Sequence, residues 1–297
     1  MNGLIDYLIN RDVEYKRNAS LAKYSTVSLG ENCDIMIFPN STEKLAGLIR
    51  FLQGNDIGFR VLGNMSNVLP PSYVSKTVFV STRKITRISI DGNFVFAECG
   101  ALFSRLIAKA AKQGLSGYER LVGIPGTVGA MVLQNAGAYG ASASDFLFDL
   151  RVLDLKSLNE RVVSKGDASF YYRGSSLKSE GAILLEARFL LESSSKEEVF
   201  AQIEKIKKKR AASQPVAQKS LGSVFKRGSD FSPSYLIDKA GLKGMRVGGV
   251  RVSEKHAGFF VNDGGSVQDF KDLAEIVKRE IYARFGKELE LEVEYLD

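Results

Sequence analysis

The apolar positions of the chain switch between two periods, and each switch predicts an element. Leu45, Leu48, Ile49 and Leu52 share one helical face within 40–55, where Asn40 and Glu43 are spaced as a capping box. A short strand, GFRVLG, is predicted at 58–63. Apolar segments follow at 77–81, 87–91 and 94–98, the last two joined at Asp91-Gly92 like a hairpin. A second helix spans about 102–113 and stops at Gly114, and 147–155 and 182–191 read as strands. This half of the chain is α+β.

The character changes at SSSKEE, 193–198, where serines placed to cap a helix precede a long amphipathic segment to about 210. Ser232, Pro233 and Gly241 delimit a helix near 233–240. Ser266 and Asp269 cap another over 267–285, striped by Phe270, Leu273, Val277, Ile281 and Phe285. The chain closes on LELEVEYL, a strict alternation that sets Glu290, Glu292 and Glu294 on one face without choosing among them. The expected division is one region over 1–192 and a second domain over 193–297.

Composition excludes several chemistries. With 297 residues, 44% hydrophobic and 25% charged, the chain is an ordinary globular protein long enough for two domains. No apolar run reaches the roughly 18 residues of a membrane span, and no secretory leader is evident, so a cytoplasmic protein is expected. Cys33 and Cys99 have no ligand spacing. With the solitary His256 they cannot build a common zinc site, and no metal is expected. One histidine also argues against Ser-His or Cys-His nucleophilic catalysis. The net charge of +7 includes KIKKKRAAS at 205–213, which reads as a solvated helix end. Nucleic acid is therefore not an expected partner, whereas a small phosphate-rich substrate suits the excess of cations.

The familiar phosphate cradles are absent: no two glycines lie two residues apart, and no glycine is followed by Lys and then Ser or Thr. Two unusual loops remain. One is LGNMSN at 62–67, directly after a strand. The other is GIPGTVGAMVLQNAGAYG at 123–140, rich in glycine and alanine and without a charge. Successive backbone N–H groups in such loops can form a nest for a pyrophosphate, and glycine lets another body approach closely.

These loops occur in order with YSTVSLGENCDIMIFPNS (24–41), GLSGYERLV (114–122), YYRGSS (171–176), GSVFK (222–226), GLKGMRVGGVRVSEKHAGFFVN (241–262) and the closing LELEVEYL. Together they resemble the UDP-N-acetylenolpyruvoylglucosamine reductases, flavoenzymes of peptidoglycan precursor synthesis, nearly end to end. The resemblance implies a two-lobed FAD-binding region of the PCMH (vanillyl-alcohol-oxidase-like) type, with its core over about 25–190, and a C-terminal α+β substrate-binding domain. The chain passes from Arg173 to the strand at 182–191 with little between, like the shorter of the family's two types. The implied reaction transfers hydride from NADPH to FAD and then to the enolpyruvyl ether of a nucleotide-sugar substrate, in a protein expected to be a monomer.

Site residues follow from the same resemblance. Arg173 matches the arginine facing the substrate carboxylate, Ser223 the proton donor and Glu292 the glutamate of the closing motif. By their residues alone, Arg173 reads as a surface cation and Ser223, beside Gly222, as a turn residue. FAD is expected against Gly63, Asn64, Met65, Ser66 and Asn67 in the first loop. In the second it is expected against Gly123, Ile124, Pro125, Gly126, Thr127, Val128 and Gly129, then Asn135, Ala136, Gly137 and Gly140. Tyr139, Tyr172, Lys226 and Arg227 are expected on the substrate.

Four positions depart from the family pattern. Met65 replaces a glycine, Glu31 replaces a second glycine after Gly30, Arg227 replaces an asparagine and Leu291 a proline. Arg227 and Glu294 would mark a relative acting on another sugar, and Met65 one that has lost FAD. Because His256 lies far from both flavin loops in sequence, the FAD should be held without a covalent bond. Acid precipitation of the yellow protein is expected to release all of the colour, and flavin retained on the pellet would overturn this.

Overall fold

Two hydrophobic clusters that share no residue organise the chain. The computed structural model describes residues 2–296. The first cluster runs from Leu4 through Ile37, Leu48, Val95, Phe103 and Phe189 to Ile203, and the second from Val27, Leu29 and Leu69 to Val224, Phe270 and Val293. They mark two compact units: one takes the chain up to Arg17, Ile35–Asn64 and Thr77–Lys208, the other Asn18–Asp34, Met65–Lys76 and Lys209 onward.

The strands Glu14–Ser20, Asn32–Phe38, Ser75–Ser81 and Phe59–Leu62 form a sheet in that order, to which the first unit contributes 14–17, 35–38, 77–81 and 59–62. Phe59–Leu62 runs parallel to Ser75–Ser81, with Phe59 opposite Val78. Helix Thr42–Gly54 buries Leu45, Leu48, Ile49 and Leu52, the stripe its periodicity predicts. Its cap is Ser41, whose hydroxyl accepts from Lys44 N, so the expected capping box at Asn40 and Glu43 is not formed. The helix starts one residue later, which moves Glu43 out of reach of that role.

A five-stranded antiparallel sheet follows, in the order Glu160–Ser164, Leu147–Leu153, Ile183–Leu190, Phe94–Glu98 and Ile88–Asp91. Asp91 pairs with Phe94, closing the hairpin expected at Asp91-Gly92. One face is buried through Leu150, Val152, Ala187, Phe189, Val95 and Ala97. The other carries a ladder of charge: Arg151 pairs with Glu160 at 2.8 Å and Arg188 with Asp149. The Arg188 guanidinium also lies 4.6 Å from the ring centre of exposed Phe148, a cation–π contact that gives this ring a partner.

In the second unit a sheet of Arg246–Val247, Val250–Val252 and Phe260–Asn262 packs on helix Val267–Phe285. The helix buries Phe270, Leu273, Val277 and Ile281, forms the Ser266–Asp269 capping box, and ends at Gly286 with φ of 63°. Helix Pro233–Lys239 carries proline in its first turn as expected. LELEVEYL differs from a single strand. Lys226 N and Glu292 N bond Glu290 O and Val224 O, after which Glu294–Tyr295 pairs in parallel with Val68–Leu69. The segment changes partner midway, and the alternation survives in the burial of Leu289 and Val293.

The units interleave, whereas the sequence pattern placed one division at 193. Helix Lys196–Ser213 contributes Val199 and Ile203 to the first core, so the chain leaves that unit only near Lys208. Among the described residues no helix is long and apolar enough to cross a membrane.

His256 gives the fold a pH signature. Its ring lies edge-on to Phe259 at 4.8 Å, and its Nδ1 accepts from Gly258 N at 3.1 Å. Burial lowers its pKa, the charge of Lys243 adds to this, and Asp238 opposes it. The unfolded chain then takes up a proton near pH 6.5, the folded protein only at lower pH. Its stabilising contribution is fully present above that value and is lost as pH falls through the folded pKa. Denaturant titrations should show stability falling between pH 7 and 5.5 in the native protein and a flatter profile in His256→Gln. The depressed carboxylates Asp263 and Asp269 act only at lower pH. An unchanged slope would reject the assignment.

Candidate active site

Backbone pressed on backbone builds one wall of the site. Cys99, Gly100 and Ala101 follow the strand Phe94–Glu98, and their carbonyls meet the start of helix Val128–Leu133. Val128 N donates to Ala101 O and Gly129 N to Cys99 O, both at 2.8 Å. On the other side Gly100 N donates to Ile85 O at 2.9 Å. A Cβ on Gly100 would lie 1.7 Å from Thr82 O, and one on Gly129 3.1 Å from Cys99 O. Part of the body that approaches the glycines of 123–140 is therefore the chain itself. The Cys99 thiol is pushed up to about 12 by burial, so it stays protonated and takes no part in thiolate chemistry.

The two loops singled out in the sequence meet here. Asn64 Nδ2 donates to Pro125 O at 2.6 Å, and Asn64 Oδ1 accepts from Arg83 Nη2 at 2.7 Å. A Cβ on Gly63 would sit 2.3 Å from Thr127 Oγ1. That hydroxyl is buried and has no hydrogen-bond partner among the described residues. An unmade buried bond costs about 1–3 kcal/mol, which an acceptor on a ligand would recover. A wall of glycine and backbone with one unsatisfied hydroxyl fits the pyrophosphate of FAD, and Gly63, Asn64, Pro125, Gly126 and Thr127 are the residues that would hold it. Arg83 carried no motif, and only its position in the fold reveals it.

Met65 and Asn67 lie in the second unit, since the boundary falls after Asn64. Met65 is only 3% exposed and has φ of 49°, the left-handed region that favours glycine. Asn67 Nδ2 donates to Glu292 O at 2.9 Å and Asn67 O accepts from Glu294 N at 3.0 Å, so this asparagine braces the closing segment. Ser66 is half-buried beside it. Of the other departures, Glu31 is exposed, while the Gly30 before it could bear no Cβ, which would lie 2.4 Å from Pro70.

Arg173 belongs to the first unit. It closes the turn between Phe170–Tyr171 and Gly174–Ser175 with φ of 58°. Its guanidinium lies 4.9 Å from the ring centre of Tyr172, and Nη2 donates to Gly137 O at 3.1 Å. Tyr139 and Gly140 continue that loop with φ of 53° and 77°.

Ser223 and Glu292 belong to the second unit, on segments that pair with each other there. Ser223 bridges to Phe259, Val224 N donates to Gly258 O, and Glu292 N donates to Val224 O at 2.8 Å. Glu292 thus lies across from the residue next to Ser223. It is half-buried, whereas Glu290 and Glu294 are exposed. Lys226 pairs with Glu290, and Arg227 is exposed. A hollow of about 500 Å³ in the same unit, lined by Gln214, Arg246, Arg251 and Lys255 among others, includes none of these residues. Among the described residues no cluster of His, Cys, Asp and Glu could hold a metal ion.

Residues 33–157 match the FAD binding domain family, and 214–296 match the family described as UDP-N-acetylenolpyruvoylglucosamine reductase, C-terminal domain. The chain is 38% identical over 293 residues to the UDP-N-acetylenolpyruvoylglucosamine reductase of Caldicellulosiruptor bescii, covering 98% of this chain and 93% of that one. It is 40% identical over 285 residues to that of Carboxydothermus hydrogenoformans, covering 94% and 93%. The crystal structure of the Thermus caldophilus reductase superposes with a TM-score of 0.81 at 30% identity, over 96% of this chain and 99% of that one. An alkyldihydroxyacetonephosphate synthase, at 16% identity and a TM-score of 0.50 over 65% of this chain and 40% of that one, shares the fold alone.

Substitutions should separate the two kinds of glycine. In Gly137→Val the new Cβ would lie 2.6 Å from the Ala141 carbonyl, and flavin content after purification should collapse. Gly126→Val meets only the flexible Met131 side chain and should be milder. Met65→Gly relieves about 1–2 kcal/mol of left-handed strain but forfeits a buried side chain worth about 2–5 kcal/mol. Denaturant unfolding should show a net loss of about 1–3 kcal/mol with flavin retained. A Met65→Gly protein as stable as the native one, or a Gly137→Val protein with full flavin, would contradict this reading of the loops.

Proposed function

The chain belongs to the UDP-N-acetylenolpyruvoylglucosamine reductase family, and on that footing we propose how its residues divide the reaction. The protein is an FAD-dependent oxidoreductase that uses NADPH to reduce UDP-N-acetylenolpyruvoylglucosamine to UDP-N-acetylmuramate in peptidoglycan precursor synthesis. FAD, when bound, supplies the hydride chemistry between NADPH and the vinyl CH2 of the substrate. What the protein must add is a cation for the charge that develops on the neighbouring carbon and its carboxylate, and a proton for that carbon.

Arg173 takes the carboxylate. A guanidinium stays charged and forks onto two oxygens, and the contacts to Gly137 O and Tyr172 orient it. Ser223 Oγ delivers the proton. The observation that supports this assignment is the backbone pairing of Glu292 with Val224, which puts the half-buried member of the three alternating glutamates on the segment paired with that of Ser223. Glu292 is assigned to the proton relay behind the hydroxyl, which is too weak an acid to act alone. Lys226 and Arg227 are assigned to the substrate phosphates. The exposed Lys226–Glu290 pair is weak enough for a phosphate to displace it. Tyr139 and Tyr172 flank the sugar. All of these residues come from one chain, so the reading needs no second copy and takes the protein as a monomer, and NADPH as hydride donor supports a cytoplasmic setting.

Stopped-flow absorbance on each half-reaction tests the assignment. Ser223→Ala should leave reduction of the flavin by NADPH nearly intact. Its reoxidation by the enolpyruvyl substrate should slow by at least about 10²-fold, the lower end for a lost general acid. Ser223→Cys should retain more activity than Ala, since a thiol still holds a proton. Arg173→Lys should slow the substrate half because an ammonium cannot fork. Equal slowing of both halves in Ser223→Ala would remove Ser223 from its role.

A further inference from the structure

Asn135 lies in the glycine-rich loop, where the flavin is expected, yet both ends of its side chain are engaged by the protein. Nδ2 donates to Tyr171 O at 3.0 Å, and Oδ1 accepts from Ser144 N at 3.2 Å. The two partners fix which end of the amide is which, since a carbonyl needs a donor and an N–H an acceptor. The backbone of Asn135 has φ of 43°, a left-handed conformation that asparagine adopts more readily than most residues.

Each partner of this amide matters. Ser144 belongs to a stretch anchored in the core: Tyr118 Oη donates to Ala143 O at 2.7 Å and accepts from Phe146 N at 3.2 Å, and Ala143 N donates to Ala136 O at 2.9 Å. The Tyr118 ring is buried against Phe103, Phe146 and Phe189, edge to face. Tyr171 is the last residue before the turn that carries Arg173, and it pairs with Gly174 on the far side. Asn135 therefore ties a rigid aromatic core to the turn of the arginine. The guanidinium returns to the same loop at Gly137 O, 3.1 Å away, which closes a ring of contacts. A second tether, Ser175 Oγ to Leu133 O at 2.8 Å, holds the other strand of the hairpin.

We infer that Asn135 is a positioning residue for Arg173: its amide sets where the guanidinium meets the substrate carboxylate. The inference rests on the assignment of Arg173 to that carboxylate. A displacement of about 1 Å at a reacting group lowers rate by up to about 10²-fold. The loss should fall on the substrate half of the reaction, because the reduction by NADPH uses no carboxylate of the sugar.

Asn135→Asp keeps an acceptor for Ser144 N and a residue tolerant of positive φ, but sets a carboxylate oxygen against the Tyr171 carbonyl. The Ser175 tether leaves the hairpin in place. Asn135→Gly loses both bonds without backbone strain and decides the matter if the Asp protein does not fold. In the holoenzyme, with rates taken per bound flavin, the loss in the NADPH half-reaction should be at least about tenfold smaller than the loss in the substrate half. Reoxidation by the enolpyruvyl substrate should slow about 10- to 100-fold, and calorimetric affinity for UDP-N-acetylmuramate should weaken with it. Combined with Arg173→Lys, either change should add little further loss, since both act through one group. Full additivity, equal slowing of both halves, or loss of flavin from the Gly variant would overturn the inference. An Arg173→Lys enzyme with a native substrate half would instead bring down the assignment of Arg173, and the inference with it. A slow Arg173→Lys beside native-like Asn135 variants would bring down the inference alone.

Discussion

The contact on which the site depends is the close passage of backbone at Cys99, Gly100 and Ala101. The strand end is held between Thr82–Ile85 on one side and the start of helix Val128–Leu133 on the other, through three backbone hydrogen bonds and the Thr82 carbonyl, which leave no room for a side chain at Gly100. Phe103 N, just beyond, donates to Gly126 O at 3.0 Å, and Leu102 bridges to Thr127. The position of Thr127 Oγ1, and with it the relation of both glycine loops, follows from this passage. A methyl group at Gly100 would have to displace the Thr82 carbonyl, and the cradle would open with it.

A cradle built from main chain has a chemical consequence. Amides and one hydroxyl can hold a pyrophosphate, so the loops at 62–67 and 123–140 contain no charged residue, and Arg83 reaches the first of them from outside through Asn64. The nearby thiol is inert. Charge appears instead on residues assigned to the substrate, Arg173 in one unit and Lys226, Arg227 and Glu292 in the other. Each of these rests on its own hydrophobic cluster, so the two sets of groups are oriented by independent cores.

The elements whose evidence is local were legible in the sequence. The stripe of Phe270, Leu273, Val277 and Ile281, the Ser266–Asp269 box and the Asp91-Gly92 hairpin all depend on neighbours within a few residues, and all are present. The interleaving of the units was not legible, because the burial of Val27, Leu29 and Leu69 with the C-terminal core is a matter of tertiary packing. The partner change within LELEVEYL has no signature in its alternation. Among the three glutamates there, the alternation makes no choice and the resemblance selects Glu292, which in the structure differs from the other two by its burial and by its bond to Val224. Arg83 and Tyr118, which hold Asn64 and the Ala143 segment, are single residues whose importance lies entirely in what the fold brings to them.

Backbone strain follows the same map. Among the described residues, nine that are not glycine have positive φ, and Met65, Asn135, Tyr139 and Arg173 are four of them. Each such conformation costs about 1–3 kcal/mol and persists only where the surroundings over-determine it. The surroundings are visible in three cases: Met65 is buried, Asn135 is bonded at both ends, and Arg173 is held by Gly137 and stacked on Tyr172. An arginine on a relaxed turn would sample several directions and would lose entropy each time it bound a carboxylate. With Arg173 assigned to the substrate carboxylate as proposed, that ordering is in place before substrate arrives, and the stability lost at φ of 58° would return as orientation where the charge develops.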